Sequence, residues 1–397
     1  MSFPGVFFPS PVACRLSPVA CRLSPVACRR PSPAARPPVP GTKSALGTAV
    51  TEPYDIAIVG GGPAGLTAAL WLGRYLHRVV VIDSGDPRNW ETRGVNGFPG
   101  HPGITPAEFR GKTRDECREY GVELIDGFVV RVRTDDDGFE IRFDPMRRTK
   151  AREDHRGSGA PRTPSDNSLR AETRSLRAAR LLLAFGLRDE WPKIPGLHQV
   201  YGSAAHVCPD CDGYDTRGKK VVVLASGRRA AGMALDLTTW TRDIVICTNG
   251  RDPDLDADQC AKLDALNIPV LSARIERVVP QGDWIYSLEL EGGMHLDCDH
   301  VFFALSQRPA DDIGAQLACE RDEDGQIIVD EHQHTSVPNV WAAGDITPGP
   351  QLAVVASAEG AVAALSIHRS LMPGERKLAP RGVPTSVESG TAPSSFG

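Results

Sequence analysis

The sequence predicts an α/β fold with two domains, because a pattern of buried strand, glycine turn, helix and buried strand occurs twice. The first copy, YDIAIVGGGPAGLTAALWLGRYLHRVVVID, starts at Tyr54, and the second, KKVVVLASGRRAAGMALDLTTW followed by RDIVICTNG, starts at Lys219. Such units form parallel sheets covered by helices. The length of 397 residues also exceeds what one core usually supports, so we predict two Rossmann-like three-layer (ββα) domains.

The composition is that of an ordinary globular protein, with 41% hydrophobic and 24% charged residues. The formal net charge of -5 gives no indication of a nucleic-acid partner. No apolar run approaches the roughly 20 residues needed to cross a bilayer, so we expect no membrane anchor. We predict a cytoplasmic location, in which isolated cysteines such as Cys117 and Cys247 remain thiols.

The first glycine turn has the spacing Gly60-x-Gly62-x-x-Gly65 between a strand and a helix. The first glycine allows the tight turn, the second lets the backbone approach a pyrophosphate, and the third permits close packing of helix and strand. The helix start offers free N–H groups and a positive dipole end to the diphosphate. About 20 residues further on, an acid ends the next strand, where it would accept hydrogen bonds from an adenosine ribose. The predicted cofactor contacts of this unit are Gly60, Gly62, Pro63, Ala64, Gly65 and Asp83.

Two other segments indicate which dinucleotide binds. Asn339-Val-Trp-Ala-Ala-Gly344-Asp345 resembles the second FAD signature of the thioredoxin reductase family, which belongs to the class II pyridine nucleotide-disulfide oxidoreductases. The resemblance implies FAD as the cofactor, with Gly344 and Asp345 at its ribityl chain. Asn96-Gly-Phe-Pro-Gly100 similarly resembles the family's segment near the flavin, so Asn96 is a further predicted contact. The plain alternative for Gly344-Asp345 is a turn that only ends a strand.

The cysteine pair in Cys208-Pro-Asp-Cys211-Asp212-Gly213 stands just before the second unit, where thioredoxin reductases carry C-x-x-C-D-G. In such a segment one thiolate can be stabilised so that it attacks at neutral pH, and the other resolves the mixed disulfide. The resemblance implies that Cys211 faces the flavin and that Cys208 exchanges with the substrate. It also implies that Asp212 manages the proton, which every thiolate-disulfide step must move.

A zinc site is the main alternative for the pair, because C-x-x-C starts many zinc sites and His206 stands two residues upstream. Structural zinc needs four ligands, and the sequence has no second C-x-x-C and no paired histidine cluster. We therefore predict no metal. His206 is expected to be a surface or packing residue, and assistance to a thiolate is its functional alternative.

The second glycine turn, Ala225-Ser-Gly227-Arg-Arg-Ala230, departs from the G-x-G-x-x-A of an NADPH domain in this family. Alanine replaces the first glycine, which restricts a turn that needs positive φ. The next strand ends at CTNGR rather than in a His-Arg-Arg cluster, and four acids follow, which would repel a 2′-phosphate. Only Arg251 could substitute there. Use of NAD(P)H is therefore doubtful, and Arg228 and Arg229 are either solvated charges or contacts for another anion.

The resemblance predicts an FAD-dependent thiol-disulfide oxidoreductase that passes electrons between FAD and a dithiol or disulfide through Cys208 and Cys211. The partner would be a thioredoxin-like protein or a small molecule. The altered second turn leaves an alternative, an oxygen-using dithiol oxidase of the gliotoxin-oxidase type. Those oxidases usually have histidine where Asp212 stands, which favours the reductase. A flavin-bound redox sensor without turnover is the remaining alternative.

The resemblance also implies a homodimer and a discontinuous FAD domain that rotates against the inserted domain, with hinges near Pro195-Gly196 and Ala304. The predicted division is a disordered SPVACR-repeat and Pro-rich tail at 1–52, the first part of the FAD domain at 53–197, the NAD(P)-type domain with the cysteine pair at 198–302, the second part of the FAD domain at 303–378, and a disordered tail at 379–397. Residues 146–176 are charged and aperiodic, which predicts a surface insertion.

Overall fold

The computed structural model describes residues 52–90, 92–146, 172–304 and 306–377. The first part of the chain contains β1 (Tyr54–Val59), α1 (Pro63–Arg74), β2 (Val79–Asp83), α2 (Pro106–Glu119), β3 (Glu123–Asp135), β4 (Gly138–Pro145), β5 (Arg174–Leu183) and β6 (Leu187–Asp189). The middle contains β7 (Ala205–His206), α3 (Pro209–Asp212), β8 (Val221–Leu224), α4 (Gly227–Leu237), β9 (Ile244–Cys247), α5 (Ala257–Ala265), β10 (Val270–Leu271), β11 (Ile275–Gln281), β12 (Trp284–Leu290), β13 (Met294–Leu296) and β14 (His300–Phe303). The last part contains β15 (Gln307–Pro309), α6 (Ile313–Gln316), β16 (Val340–Ala342) and α7 (Ala353–Leu371).

The first domain has a parallel sheet in the order β3-β2-β1-β5-β16 and an antiparallel sheet β3-β4-β5. Two long strands belong to both sheets. β3 pairs with β2 up to Asp126 and with β4 from Gly127 onwards. β5 pairs with β4 up to Ala178 and with β1 from Ala178 onwards. The shared strands therefore connect the two sheet layers, β3 at an edge of the parallel sheet and β5 in its interior.

Alternation along β1 divides the core of the first domain into two layers. Ile56 and Ile58 are fully buried and belong to a cluster with the apolar residues of α1 and α7. Ala57 and Val59 face the opposite side and belong to a cluster with β4 residues such as Phe139. This arrangement follows from the two-residue period of a strand that is buried on both faces.

The second domain repeats the three layers. Its parallel sheet has the order β10-β9-β8-β14-β7, and its antiparallel sheet contains β11, β12 and β13. Val221 and Val223 of β8 pack in a cluster with α4, whereas Val222 and Leu224 pack in a cluster with β11 and β12. The predicted α/β fold with two Rossmann-like three-layer domains is confirmed.

The predicted tails, the predicted insertion and one predicted domain boundary can be compared with the described residues. The tail at 379–397 and residues 1–51 lie outside the described residues, as do residues 147–171 of the predicted insertion. Residues 174–176, which the sequence assigned to the end of this insertion, belong to β5 and pair with β4. The predicted boundary between residues 302 and 303 falls inside β14. Among the described residues, no helix has both the length and the apolar character needed to span a membrane.

Candidate active site

The turn between β1 and α1 has the geometry that the glycine motif predicts. Gly60 has a φ of 106°, and a Cβ atom at this position would overlap the carbonyl group of Ala184. A Cβ atom on Gly65 would overlap the carbonyl oxygen of Gly60. A Cβ atom on Gly62, the N-cap of α1, would instead meet open space. The pyrophosphate of a dinucleotide can therefore approach the backbone N–H groups of the helix start at Gly62.

Asp83, the predicted ribose contact, is buried at the end of β2 and is already paired with two cations. Its Oδ2 atom accepts hydrogen bonds from Arg110 and Arg114 of α2, the second at 3.2 Å. Burial by itself raises the pKa of Asp83, but the hydrogen bond and charge of Arg110 hold this pKa below its ordinary value. The carboxylate is therefore ionised at neutral pH. Oδ1 also accepts the N–H of Gly85 at 3.1 Å.

The two arginines that bind Asp83 are site residues that sequence reasoning missed. Their only signal was the i, i+4 spacing on α2, which puts Arg110 and Arg114 on one helix face. Gly61 was also missed. A Cβ atom at Gly61 would overlap the Asp83 carboxylate, so the second glycine of the GGG run leaves room for this acid.

Gly344 and Asp345 follow β16 and lie against the start of α1. Gly344 has a φ of 84°, and a Cβ atom there would come within 2.9 Å of the Ala64 Cβ atom. The Gly344 N–H donates to Glu359 of α7 at 2.7 Å. Burial raises the pKa of Asp345 above its ordinary value, although the nearby Arg88 opposes this shift.

Arg88 connects Asp345 to a second acid and was not predicted. Its Nε and Nη2 atoms donate to the two carboxylate oxygens of Asp189 at 2.7 and 2.8 Å. Its Nη1 atom donates to Asp345 Oδ2 at 3.2 Å and to Gln351 Oε1 at 2.6 Å. Burial lowers the pKa of Arg88, but the bidentate Asp189 pair raises it further, so the net pKa lies above its ordinary value.

One cavity of about 560 Å³ joins these elements. Its lining residues from the first domain include Gly60, Gly62, Pro63, Ala64, Asp83, Arg88, Asn96, Gly344 and Asp345. Its lining residues from the second domain include His206, Cys208, Cys211 and Asp212. Of the twelve predicted site residues only Gly65 does not line the cavity, because it packs beneath the turn at Gly60. The volume and extended lining fit a dinucleotide that runs from the glycine turn to the cysteine pair.

Cys208 and Cys211 form a disulfide with a Cα–Cα distance of 5.3 Å. Cys208 is the N-cap of the single turn α3, and its Sγ atom accepts the Cys211 N–H at 3.2 Å. Asn96 of the first domain contacts this segment, because its Nδ2 atom donates to the Cys211 carbonyl at 3.0 Å and lies 3.4 Å from Asp212 Oδ1. The cysteine segment is thus docked against the first domain.

His206, which the sequence predicts to be a surface or packing residue, is buried and lies next to a second histidine. It is buried on β7, and its Nε2 atom lies 3.1 Å from Nδ1 of the buried His300 on β14. Its Nδ1 atom lies 3.4 Å from Asp212 Oδ2. His300 was missed because it stands 94 residues away along the chain, where no motif links it to the cysteine pair.

The second glycine turn is closed by its own chain. Gly227 has a φ of 66°, and its N–H, at the start of α4, donates to the Pro253 carbonyl at 2.8 Å. The carboxylate of Asp254 lies beside the same glycine. Two of the four acids that follow Arg251 have structural roles at the start of α5. Asp256 forms a capping box with Gln259, and Asp258 pairs with Lys262. Arg228 and Arg229 are exposed, and Arg229 pairs with Asp324 at 3.6 Å.

The cysteine pair has no metal-binding neighbours in the part of the chain that the structure describes. No group of three or more histidine, cysteine, aspartate or glutamate side chains could hold a metal ion there. Five other cysteines in these residues are free, namely Cys117, Cys247, Cys260, Cys298 and Cys319.

Residues 54–360 match the family model of the pyridine nucleotide-disulphide oxidoreductases. The chain is 27% identical over 302 residues to the thioredoxin reductase tcpT of Claviceps purpurea, an alignment that covers 73% of this chain and 86% of that protein. It is 26% identical to an NADH dehydrogenase of Bacillus subtilis over 79% of this chain, but spans 58% of that protein's length. The crystal structure of HlmI superposes with a TM-score of 0.70 and 30% identity, covering 81% of this chain and 94% of that one. This chain therefore belongs to the pyridine nucleotide-disulphide oxidoreductase family, as a thioredoxin reductase-like enzyme.

Proposed function

We propose that this chain is an FAD-dependent thiol-disulfide oxidoreductase that exchanges electrons with a dithiol or disulfide substrate through Cys208 and Cys211. One observation carries the proposal. The cavity that begins at the Gly60–Gly62 turn reaches the Cys208–Cys211 disulfide, so a bound dinucleotide can extend to a redox-active pair. The similarity to the thioredoxin reductase of Claviceps purpurea supports the same assignment.

The proposed FAD site uses residues from both ends of the first domain. The N–H groups at Gly62 and the start of α1 would hold the diphosphate, and Asp83 would accept a ribose hydroxyl. Asp345 would bind the ribityl chain, and Asn96 would keep the cysteine segment beside the flavin. When bound, FAD supplies a two-electron carrier. The protein supplies the position and the electrostatic surroundings of that carrier.

The cysteine pair performs the exchange with the substrate. A Cys208 thiolate attacks a substrate disulfide, forms a mixed disulfide and releases one substrate thiolate. Cys211 then attacks the Cys208 sulfur, which re-forms the protein disulfide and releases the second substrate thiolate. The pair loses two electrons and the substrate gains two. The Cys211 proton has to leave during this step, and Asp212 is the adjacent acid that would take it.

The source of the electrons is the less conventional part of the proposal. A phosphate would compete with the Pro253 carbonyl for the Gly227 N–H and would meet the Asp254 carboxylate. Because the diphosphate is common to NADPH and NADH, we propose that both nucleotides reduce this enzyme poorly, and that another electron-carrying protein or a substrate dithiol takes their place. The same closed turn favours the second candidate, a dithiol oxidase that passes the electrons to oxygen.

Anaerobic mixing of the purified yellow protein with NADPH, NADH or a reduced dithiol tests both candidates. We expect a dithiol to bleach the visible flavin band and NADPH to bleach it slowly. Admission of air then separates the candidates, because an oxidase recovers its colour rapidly and produces peroxide in repeated turnovers. A colourless protein that does not take up FAD would contradict the proposed function.

We further propose a cytoplasmic homodimer with a thioredoxin-like protein or small-molecule dithiol or disulfide as its partner. Apolar side chains exposed on the outer faces of α1 and α7 support dimerisation. They are Trp71, Val362 and Leu365, with Leu76, which is 83% exposed, just after α1. Light scattering during size-exclusion chromatography measures the molar mass of the protein, and the mass of a monomer would contradict the homodimer.

A further inference from the structure

A chain of three buried or half-buried groups, Asp212, His206 and His300, leads away from the cysteine pair. Asp212 immediately follows Cys211, and its Oδ2 atom lies 3.4 Å from His206 Nδ1. On the other side of the ring, His206 Nε2 lies 3.1 Å from His300 Nδ1. The two rings also lie in contact, with centroids 5.3 Å apart. Each group can accept a proton on one atom and release one from another.

His206 has an unused hydrogen-bonding atom directed at the site. The side chain is 5% exposed, yet among the described residues its Nδ1 atom has no hydrogen-bond partner. Buried nitrogen atoms of this kind are uncommon, because an unmade hydrogen bond is costly. The neighbouring Asp212 carboxylate is a few tenths of an ångström beyond hydrogen-bond distance. Once Asp212 carries a proton, a small movement of its carboxyl group therefore completes an unbroken chain of hydrogen bonds.

The surroundings of His300, on balance, keep its ring neutral. Burial and the neighbouring His206 lower the pKa of His300 to about 4, and Lys219 acts in the same direction. Asp215 and Asp299 oppose this shift, and Trp284 packs with its edge against the ring. A ring that is neutral at pH 7 carries one proton and one free lone pair, which is what passing a proton requires. Asp215 and Lys219 are exposed, so the chain ends next to solvent-facing charges.

We propose that His206 and His300 form a proton relay that connects Asp212 with solvent during thiol-disulfide exchange, an inference that rests on the function proposed above. When Cys211 attacks the Cys208–substrate disulfide, its proton moves to Asp212. Asp212 passes a proton to His206 Nδ1, His206 passes its Nε2 proton to His300 Nδ1, and His300 releases its Nε2 proton outward. One proton leaves, both rings stay neutral, and both change tautomer. The reverse sequence restores them when the disulfide is reduced.

The position of the relay in the fold supports this role. All three groups belong to the second domain, on α3, β7 and β14, whereas the Asn96 contact with Asp212 comes from the first domain. A rotation that takes the cysteine pair away from the first domain breaks the Asn96 contact and leaves the histidines in place. The relay therefore accompanies the cysteine pair. His206 and His300 act through Asp212 and are positioning residues.

The test measures the rate at which Cys208 and Cys211 form their disulfide. Anaerobic holoprotein reduced with dithiothreitol is mixed with 4,4′-dithiodipyridine, quenched in acid and alkylated, and the tryptic peptide 194–217 is weighed by mass spectrometry. This peptide contains Cys208 and Cys211 and no other cysteine. We expect His300→Gln to slow disulfide formation by about 10- to 100-fold between about pH 6 and pH 8. Added imidazole should recover the rate in His300→Ala. His295→Gln, at an exposed histidine of the same domain, is the matched control.

The outcomes separate the relay from the function on which it rests. If the wild-type peptide forms no disulfide, the proposed exchange is wrong. If the wild-type reacts and His300→Gln reacts at the same rate with the same pH profile, only the relay is wrong. The relay is also contradicted if the variant is slow and imidazole has no effect. If the variants lose both their flavin colour and their folded structure, the wild-type rate is measured in mixtures of H2O and D2O instead. A relay of several protons predicts that this rate depends on the D2O fraction along a curve, and a linear dependence contradicts the relay.

Discussion

Gly227 donates its backbone N–H to the carbonyl oxygen of Pro253 at 2.8 Å, which ties the loop after β9 to the first turn of α4. In a dinucleotide-binding turn this N–H would contact a phosphate. Asp254 adds a negative charge beside the same glycine. The Gly227 N–H is therefore occupied by the chain itself, and the altered turn at Ala225 is only part of the change.

We predict that NADPH binds with a dissociation constant of about 1 mM or weaker, an affinity of roughly 4 kcal/mol. Ala225→Gly alone should not improve this affinity, because the Gly227 donor stays occupied. Asp254→Gly should improve it several-fold by removing the charge. Calorimetric titration measures both variants against the wild-type. Micromolar binding by the wild-type protein would show that the loop opens readily.

Substitution of either cysteine of the pair is predicted to abolish disulfide exchange without loss of bound FAD. Cys211→Ser and Cys208→Ser should both keep FAD, since neither residue is part of the glycine turn or of the Asp345 region. Both should abolish turnover with any disulfide. Cys260→Ser is the matched control, since this free cysteine is exposed on α5 and should leave turnover unchanged. Turnover retained by Cys211→Ser would contradict the assignment of the pair.

The sequence predicts the glycine turn, Asp83 and the cysteine pair because each has a motif whose members are close together along the chain. It does not predict contacts between distant segments. Arg88 and Asp189 are 101 residues apart, and His206 and His300 are 94 apart. Only the folded sheets bring these pairs together. The closed turn at Gly227 has the same origin, because the composition of the acidic loop predicts repulsion of phosphate but not a backbone hydrogen bond.

Gly62→Asp should prevent FAD binding, because an acidic side chain would project into open space at the diphosphate position. The protein itself should fold, since the added Cβ meets no neighbouring atom within 4 Å. Gly111→Asp is the matched control, because Gly111 is exposed on α2 and its Cβ position is equally open. The ratio of visible to ultraviolet absorbance reports FAD content. A yellow Gly62→Asp protein would place the diphosphate elsewhere.

Arg88→Gln should destabilise the protein by about 3 kcal/mol, because it leaves the largely buried carboxylates of Asp189 and Asp345 without their cation. Arg188→Gln removes a more exposed pair with Asp86 and should cost less than about 1 kcal/mol. Urea unfolding of the two variants at pH 7 gives both values. Equal losses would mean that Arg88 contributes no more than a surface pair.

Asp311 provides a pH-dependent prediction, because its carboxyl group lines the cavity in a half-buried position. Burial, reinforced by the charge of Asp312, raises its pKa from the ordinary 3.8 to about 6, while the Ile313 N–H opposes the shift. The folded protein therefore holds this proton more tightly than the unfolded chain does. Its stability consequently falls as the pH rises from about 4 to about 6, and the loss is complete above that range.

Asp311→Asn removes this titration while keeping an oxygen that can accept the Ile313 N–H at 3.1 Å. We expect the free energy of unfolding of the variant, relative to that of the wild-type protein, to rise by about 2 kcal/mol as the pH increases from about 4.5 to about 7.5. One unit of pKa shift corresponds to about 1.4 kcal/mol. Urea unfolding at the two pH values measures the difference. Glu276→Gln, at an exposed carboxylate on β11, should show no such gain. If Asp311→Asn and the wild-type protein keep a constant difference in stability across this range, the carboxyl group of Asp311 does not carry a proton that folding retains.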